Sequence, residues 1–331
     1  MASIAVPEIL DRVACAGAAG LAYPAAEPER RDLELCLAQG IPLEIREGRV
    51  RLRRDRDLLV PAWIEEETPL VAWDRLKVLG YFEAGSTNEE ALSRARQGTE
   101  GGTVIYAECQ TAGRGRKGRQ WVSPARCGLY FSIILRPTQP PNHWALLALA
   151  AAVAAAHALR EFSQEGVIPR PLDLELKWPN DVLISGKKAA GILLETSAAA
   201  GWLSAAVLGV GMNVSPGPLP DELRAQVTSV GEEAGVQVPR RHLLARFLYH
   251  FQLGYDLFER GAHAKILDQW KKSSSMWNNT PVWIVEEGAA RPAVTSGLTD
   301  SGALVVRNLD GAEEVILAGD VSIRRLAPEE R

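Results

Sequence analysis

The sequence is short of the features that announce a metal module, a secreted scaffold or a membrane span. Its 331 residues include four cysteines, Cys15, Cys36, Cys109 and Cys127, none at Cys-x-x-Cys or Cys/His ligand spacing. No metal site and no disulfide framework is expected, and reduced thiols suit a cytoplasmic chain. The opening residues, MASIAVPEILDR, lack a basic segment followed by an apolar one, so no signal peptide is read. The most apolar run, residues 144–162, is alanine-rich and shorter than a membrane span. It reads as a buried helix, with His157 a helical histidine inside it. Strong charge is missing as well, the formal net charge being -4. A chain so balanced is no polyelectrolyte binder, and any basic site must be local. No internal repeat or low-complexity tract is present. What remains is ordinary globular composition, 47% hydrophobic and 24% charged. The chain is longer than a single core usually extends, so two or three domains are expected.

Three textures divide the chain. Residues 1–65 carry a helix candidate, IAVPEILDRVACAG, a Pro/Ala/Glu stretch, and a second helix candidate, ERRDLELCLAQG, ended by Gly40. An alternating pair, LEI and VRLR, flanks Glu47-Gly48 and predicts a hairpin. Helix, helix, hairpin is the outline of a winged helix. The region 66–275 mixes helices with short β runs. GTVIYAECQ, LYFSIILR, LELKW, DVLI, AGILLET and LSAAVLGVGMNV read as strands of a mixed, largely antiparallel sheet with helices packed on it. Residues 276–331 hold short strands separated by Glu287-Gly288, Ser301-Gly302 and Asp310-Gly311, which predicts a small β-barrel. The fold class is therefore α+β.

One loop carries the strongest chemical signal. Residues 112–121 read AGRGRKGRQW. Gly113, Gly115 and Gly118 allow a backbone to approach an anion, and Arg114, Arg116, Lys117 and Arg119 supply donors matched to phosphate or carboxylate oxygens. Trp121 offers a face for stacking. No GK[ST] is present, and the next element is a strand, so this is not a Walker loop. Four cations on so bendable a backbone predict a loop that orders on an anionic ligand. KWPND, residues 177–181, fixes Lys177 at a strand end, where it can neutralise charge in phosphoryl or adenylyl transfer, with Asn180 and Asp181 in the turn. GSTNEEA, residues 85–91, predicts a capping box at Ser86 or Thr87, and a helix start that can face a polar ligand. Gln110 offers both donor and acceptor. GVGMNV, residues 209–214, has Gly209 and Gly211 for close backbone approach, and Asn213 to read a base edge. It lacks the third glycine and the helix of a dinucleotide fingerprint. Lys187 and Lys188 read as solvated turn lysines.

In this order, GSTN, CQTAGRGRKGRQW, KWPND, KKAAGILLET and GVGMNV resemble the signature of biotin–protein ligases, catalytic relatives of the bifunctional biotin repressor. The resemblance covers roughly residues 76–326 and implies a catalytic ligase domain with an SH3-like barrel after it. It implies that biotin and ATP give biotinyl-5'-adenylate and pyrophosphate, and that the acyl group then passes to a lysine of a biotin carboxyl carrier domain. Ser86, Thr87, Asn88 and Gln110 would serve the biotin head, and Gly113, Arg114 and Arg116 the tail and α-phosphate. Lys117, Arg119, Trp121, Asn180, Gly209, Gly211 and Asn213 would serve the nucleotide. Lys177, with Arg116, would be catalytic, bridging carboxylate and phosphate. Mg2+ would accompany ATP, and a homodimer would be in keeping with relatives.

The N-terminal region departs from the repressor pattern. Its candidate recognition helix, EPERRDLE, sets four acids against two arginines, and proline-rich AYPAAEPE replaces the usual turn. That is poor for approaching phosphates. The hairpin is more basic, with Arg46, Arg49, Arg51, Arg53, Arg54 and Arg56 against Glu44, Glu47, Asp55 and Asp57. Three alternatives stand beside the plain ligase: the same enzyme acting also as a DNA-binding repressor, a lipoate or octanoate ligase, and a pure nucleic-acid binder. The arginine loop argues against the lipoate reading, and KWPND and GVGMNV against the last.

Overall fold

Pro7 decides where the first helix begins. The computed structural model describes residues 3–54, 57–199, 202–286, 289–317 and 321–325. Ile4–Ala5 form a short strand, β1, and α1 (Glu8–Ala16) starts only after Pro7, whose extended backbone caps it. After a 3-10 turn come β2 (Leu21–Ala22), α2 (Glu27–Ala38), β3 (Leu43–Arg46) and β4 (Arg49–Leu52). Helix, helix and hairpin stand in the expected order, with the turn at Glu47-Gly48 in left-handed backbone. Strands β2, β4 and β3 form a three-stranded antiparallel sheet. Its core is Ile9, Leu10, Val13, Leu33, Cys36 and Val50, closed by Trp63 of α3 (Pro61–Glu67).

The N-terminal region is joined to the central one. Strand β1 pairs with β5 (Lys77–Glu83), and α3 runs through the expected junction at 65–66. The next elements are α4 (Thr87–Arg96), β6 (Thr103–Ala107), β7 (Gly128–Leu135), α5 (Ala145–Gln164), β8 (Leu174–Lys177), β9 (Asp181–Ile184), β10 (Lys187–Ala199) and β11 (Trp202–Asn213). The strands make one eight-stranded sheet in the order β1-β5-β6-β7-β11-β10-β9-β8, parallel only between β5 and β6. The expected mixed, largely antiparallel sheet is present. Strands β6 and β7 are buried throughout, which is why TVIYA and LYFSIIL read as nearly unbroken apolar runs.

Short helices α6 (Asp221–Arg224) and α7 (Val230–Ala234) lead to α8 (Arg240–Glu259) and α9 (His263–Lys271). Helices α5, α8 and α9 cover one face of the sheet. The alanines of α5 let that helix lie close, and a Cβ on Gly254 of α8 would stand 3.2 Å from Ala150. Helix α5 is long and apolar enough to cross a membrane by length and composition, yet most of it is buried inside the protein, as a core helix. Each large apolar side chain so buried contributes roughly 1.5–3 kcal/mol. At the start of α8, the fully buried Arg240 bonds Asp57 at 2.8 Å and Glu108 at 2.6 Å, tying the N-terminal region to the end of β6.

The last five strands are β12 (Asn278–Glu286), β13 (Ala289–Leu298), β14 (Leu304–Arg307), β15 (Glu313–Ile316) and β16 (Val321–Arg325). They form an antiparallel sheet in the order β15-β14-β13-β12-β16. The turn expected at Glu287-Gly288, the stretch 318–320, the end of the chain from 326, and the hairpin residues Asp55 and Arg56 lie outside the described residues.

Candidate active site

Sheet register builds the site on the face turned away from α5 and α8. In an antiparallel pair, residues directly opposite share a face. Tyr130 of β7 stands opposite Gly211 of β11, Gly211 opposite Gly191 of β10, Gly191 opposite Asp181 of β9, and Asp181 opposite Lys177 of β8. Lys177 thus shares a row with the glycines of GVGMNV and KKAAGILLET, although they lie far apart in sequence. Along β11, Gly209, Gly211 and Asn213 fall on this same face and make the floor of a trough.

Each glycine of that floor admits a particular neighbour. A Cβ on Gly209 would lie 2.1 Å from Asn88 Oδ1, and one on Gly211 would lie 2.4 Å from the Trp121 ring. The Trp121 indole lies against Gly211 and Gly191, and its N–H is buried without a partner among the described residues. At the far end Asn213 donates to the Thr228 carbonyl at 3.0 Å and borders a cavity of about 400 Å³, lined also by Tyr130, Cys127, Pro216 and Glu232.

The near end is a closed polar network. Ser86, Thr87 and Asn88 are buried at the start of α4. Ser86 makes no capping bond, so the expected capping box is absent. Instead the Thr87 N–H and hydroxyl both donate to Gln110 Oε1, at 2.9 and 3.2 Å, and Gln110 Nε2 donates to Ser123 Oγ at 2.8 Å. Ser132 Oγ donates to Thr87 Oγ1 at 2.8 Å or to Asn88 Oδ1 at 2.5 Å, and Asn88 Nδ2 donates to Glu195 at 2.8 Å. The amide of Gln110 takes the part expected of the cap because the chain brings β6 and α4 to the same edge.

The basic loop closes over this floor by folding on itself. Gly115 N–H donates to Arg119 O at 2.7 Å, Trp121 N–H to Gly113 O at 2.9 Å, and Lys117 and Gly118 turn in left-handed backbone. Gly113 is required here, since a Cβ would meet Trp121 O at 2.4 Å. These bonds give the loop a defined internal fold. Two arginines then fasten it to the sheet. Arg114 reaches Glu195 at 3.2 Å and Glu89 at 3.4 Å, and Arg116 donates to Asn180 Oδ1 at 3.2 Å. Asn180 in turn donates to the Ile192 carbonyl at 2.6 Å. Lys117 and Arg119 stay exposed.

Lys177 is a half-buried cation with no ion pair among the described residues. Burial pushes its ammonium below the ordinary lysine range. Asp181 offsets part of that, while Lys188 and Arg119 lower it further. The Asp181 carboxylate is already engaged by Lys188 at 2.6 Å, and Lys188 lies 5.3 Å from the Trp121 ring centroid. Lys188 is therefore no solvated turn lysine: the register of β10 against β9 carries it to the site. Sequence reasoning missed Ser132 and Glu195. The lone serine in the otherwise apolar LYFSIIL was the available signal for the first. Glu195 needed the register to place it.

A half-buried cation facing a trough, a polar network at one end and a cavity at the other suit an elongated acid activated by a phosphorylated partner. Comparison with known proteins agrees. Residues 79–213 match the model of the biotin/lipoate A/B protein ligase family. The chain is 33% identical over 251 residues to a biotin–[acetyl-CoA-carboxylase] ligase of Mycobacterium tuberculosis, covering 75% of this chain and 89% of that protein. It is 30% identical to the bifunctional ligase/repressor BirA of Salmonella typhimurium, covering 72% of each. The fold resembles that of a biotin protein ligase from Aquifex aeolicus, solved in complex with biotin and ATP, with a TM-score of 0.64 and 27% identity over 75% of this chain and 98% of that one. The chain belongs to the biotin/lipoate A/B protein ligase family, in its biotin–protein ligase branch.

Proposed function

We propose that the protein activates biotin with ATP and transfers it to a biotin carboxyl carrier domain, as the names of its relatives describe for them. A biotin carboxylate oxygen attacks the α-phosphorus of ATP and pyrophosphate leaves, giving biotinyl-5'-adenylate. The amine of a carrier lysine then attacks the acyl carbon, an amide forms, the amine gives up a proton and AMP leaves. The observation that carries this reading is Lys177, a half-buried cation without an ion pair among the described residues, set by register in the row of Gly191 and Gly211. A desolvated charge interacts with an incoming anion more strongly than a wet one, and needs no rearrangement when charge builds up.

The remaining residues take complementary parts. Thr87, Asn88 and Gln110 offer neutral donors and acceptors suited to a urea, with Ser86 beside them. Gly113, Arg114 and Arg116 enclose the acyl chain and α-phosphate, and Trp121 covers the adenine side. Lys117, Arg119 and Asn180 meet the pyrophosphate side, and Gly209, Gly211 and Asn213 lead to the adenine. Closure by the loop excludes water from a hydrolysable anhydride. Magnesium would ride on the ATP phosphates, as that ion usually does. Among the described residues no cluster of three ligating side chains exists, and Asp181 is the carboxylate able to share it. Its chemistry would be to neutralise phosphate charge.

The division into residues 1–65, 66–275 and 276–331, with a reduced winged helix and an SH3-like barrel at the ends, belongs to the same reading, as does a cytoplasmic location. A repressor role is disfavoured. A helix-turn-helix joins its two helices by a short turn, whereas a 3-10 turn, β2 and a proline-containing stretch separate α1 from α2. A lipoate or octanoate substrate would leave the Thr87–Gln110 network without a polar counterpart. The test is direct: with ATP, biotin and an isolated carrier domain, mass spectrometry should find one biotinyl group on the carrier, and none when its acceptor lysine is replaced by arginine. An unmodified wild-type carrier would refute the proposal.

A further inference from the structure

Strand β8 lies at the edge of the eight-stranded sheet, with β9 on one side and, among the described residues, no strand on the other. An edge strand of four residues is a poor mount for a catalytic group, because half of its backbone groups lack a ladder. Here the free side is held by a different part of the chain. Leu176 N–H donates to the Ser273 carbonyl at 2.7 Å, and Ser275 Oγ donates to the Glu175 carboxylate. Ser273 is itself fixed by Arg160 of α5, whose guanidinium donates to Ser273 Oγ at 2.9 Å. Both serines lie in the segment joining α9 to β12.

The next contact reaches the C-terminal sheet. Trp178, 1% exposed, is the residue after Lys177 and donates its indole N–H to the Gly302 carbonyl at 3.0 Å. Gly302 belongs to a tight turn between β13 and β14. Gly302 N–H donates to Thr299 O at 2.9 Å, Thr299 N–H to Ala303 O at 2.9 Å, and Ala303 N–H to Thr299 Oγ1 at 3.1 Å. The turn presses on α5: Gly302 has φ +83°, and a Cβ there would meet Leu146 and Leu149 at 3.0 Å. A self-braced turn seated on the core helix therefore grips the residue between Lys177 and the turn that receives Arg116. The function proposed above uses Lys177 and Asn180 but assigns nothing to Trp178 or to the C-terminal sheet.

We propose that Trp178 is a positioning residue, through which the Gly302 turn of the C-terminal sheet holds Lys177 in its row for the activation step. The inference rests on the function proposed above. It predicts that loosening the grip slows adenylation while leaving biotin binding in place, since the biotin end of the trough is built on α4, β6, β7 and β10.

The experiment uses the full chain and biotin-dependent ATP–pyrophosphate exchange. Trp178→Phe keeps the ring and removes the donor. The expected result is a kcat lower by about tenfold, the worth of roughly one buried hydrogen bond, with KM for biotin within about twofold of wild type. Gly302→Ala disturbs the same grip from the other side, and should lower kcat in the same way. It provides the test should Trp178→Phe fold poorly. The double variant should be no slower than the slower single one, because both break one contact. Trp63→Phe, equally buried in the N-terminal core, controls for lost packing and should leave kcat unchanged at a comparable fall in Tm. A kcat unchanged in Trp178→Phe and Gly302→Ala, equal losses in Trp63→Phe, or a loss carried by KM would overturn the proposal. Wild-type protein without any biotin-dependent exchange would instead overturn the functional reading beneath it.

Discussion

Two arginine-rich hairpins sit in this chain, and they differ in what their guanidinium groups face. In the N-terminal one, Arg49 donates to the carbonyls of Ala19 and Gly20, Arg51 to Ala18 O, and Arg54 to Glu66 at 2.6 Å. These three groups are spent on holding the hairpin against its own neighbours. In the loop 112–121, Arg114 and Arg116 reach across to β10 and to the KWPND turn, and Lys188 lies 5.3 Å from the Trp121 ring centroid, close enough to Lys177 to lower its pKa. Arginine content marks both segments as basic. Their hydrogen-bond partners separate a structural cation from one that can meet a substrate.

The largest break in that comparison comes from Lys177. Lys177→Ala should lower the rate of adenylation by roughly 10²–10³-fold, the usual cost of losing one group that stabilises developing charge. Thermal unfolding should shift little, because Lys177 makes no ion pair among the described residues for the substitution to break. Near-wild-type exchange would return Lys177 to the class of the hairpin arginines.

A second effect concerns pH. The Lys177 pKa is lowered by burial, so the group loses its proton as pH rises through a value below that of free lysine. If the charged form works, the rate should fall on the alkaline side of the profile earlier than an ordinary lysine would titrate. Lys177→Arg stays charged throughout that range and should lack this limb, whatever its absolute rate. An alkaline limb that persists in the arginine variant would assign it to another group.

Smaller effects are expected for the loop. Arg116→Ala removes the bond to Asn180 and should speed dissociation of the adenylate by about tenfold, measured by release of a preformed intermediate. An unchanged release rate would mean that the loop is closed by Arg114 alone. Smallest of all should be the hairpin variants. Arg49→Ala and Arg51→Ala should leave exchange untouched and cost below about 1 kcal/mol of stability each. Neither they nor the wild-type protein should retard duplex DNA from the region upstream of its own coding sequence. Specific retardation of that DNA would erase the distinction between the two hairpins.

Much of the site is legible in the sequence because turn and glycine chemistry is local. AGRGRKGRQW and KWPND declare themselves by composition, and GVGMNV by glycines that admit Asn88 and Trp121. The strands around them are legible as short β-branched and apolar runs. Register is not legible. Nothing in sequence says that Gly191 stands between Gly211 and Asp181, so Lys188 reads as solvated and Glu195 carries no signal. The start of α4 misleads for a related reason: a local capping box is expected, and a side chain from beyond the end of β6 takes the Thr87 amide instead. The two-residue β1 and the α3 helix also escape the sequence reading, although Pro61 at the first turn of α3 is an ordinary start signal.

One measurement bears most directly on the claim that the second hairpin and its lysine row serve acid activation. ATP–pyrophosphate exchange is run on the purified chain with biotin, lipoate or octanoate added in turn. The account predicts exchange with biotin alone. Exchange driven by lipoate or octanoate, or none at all from a folded sample, would contradict it.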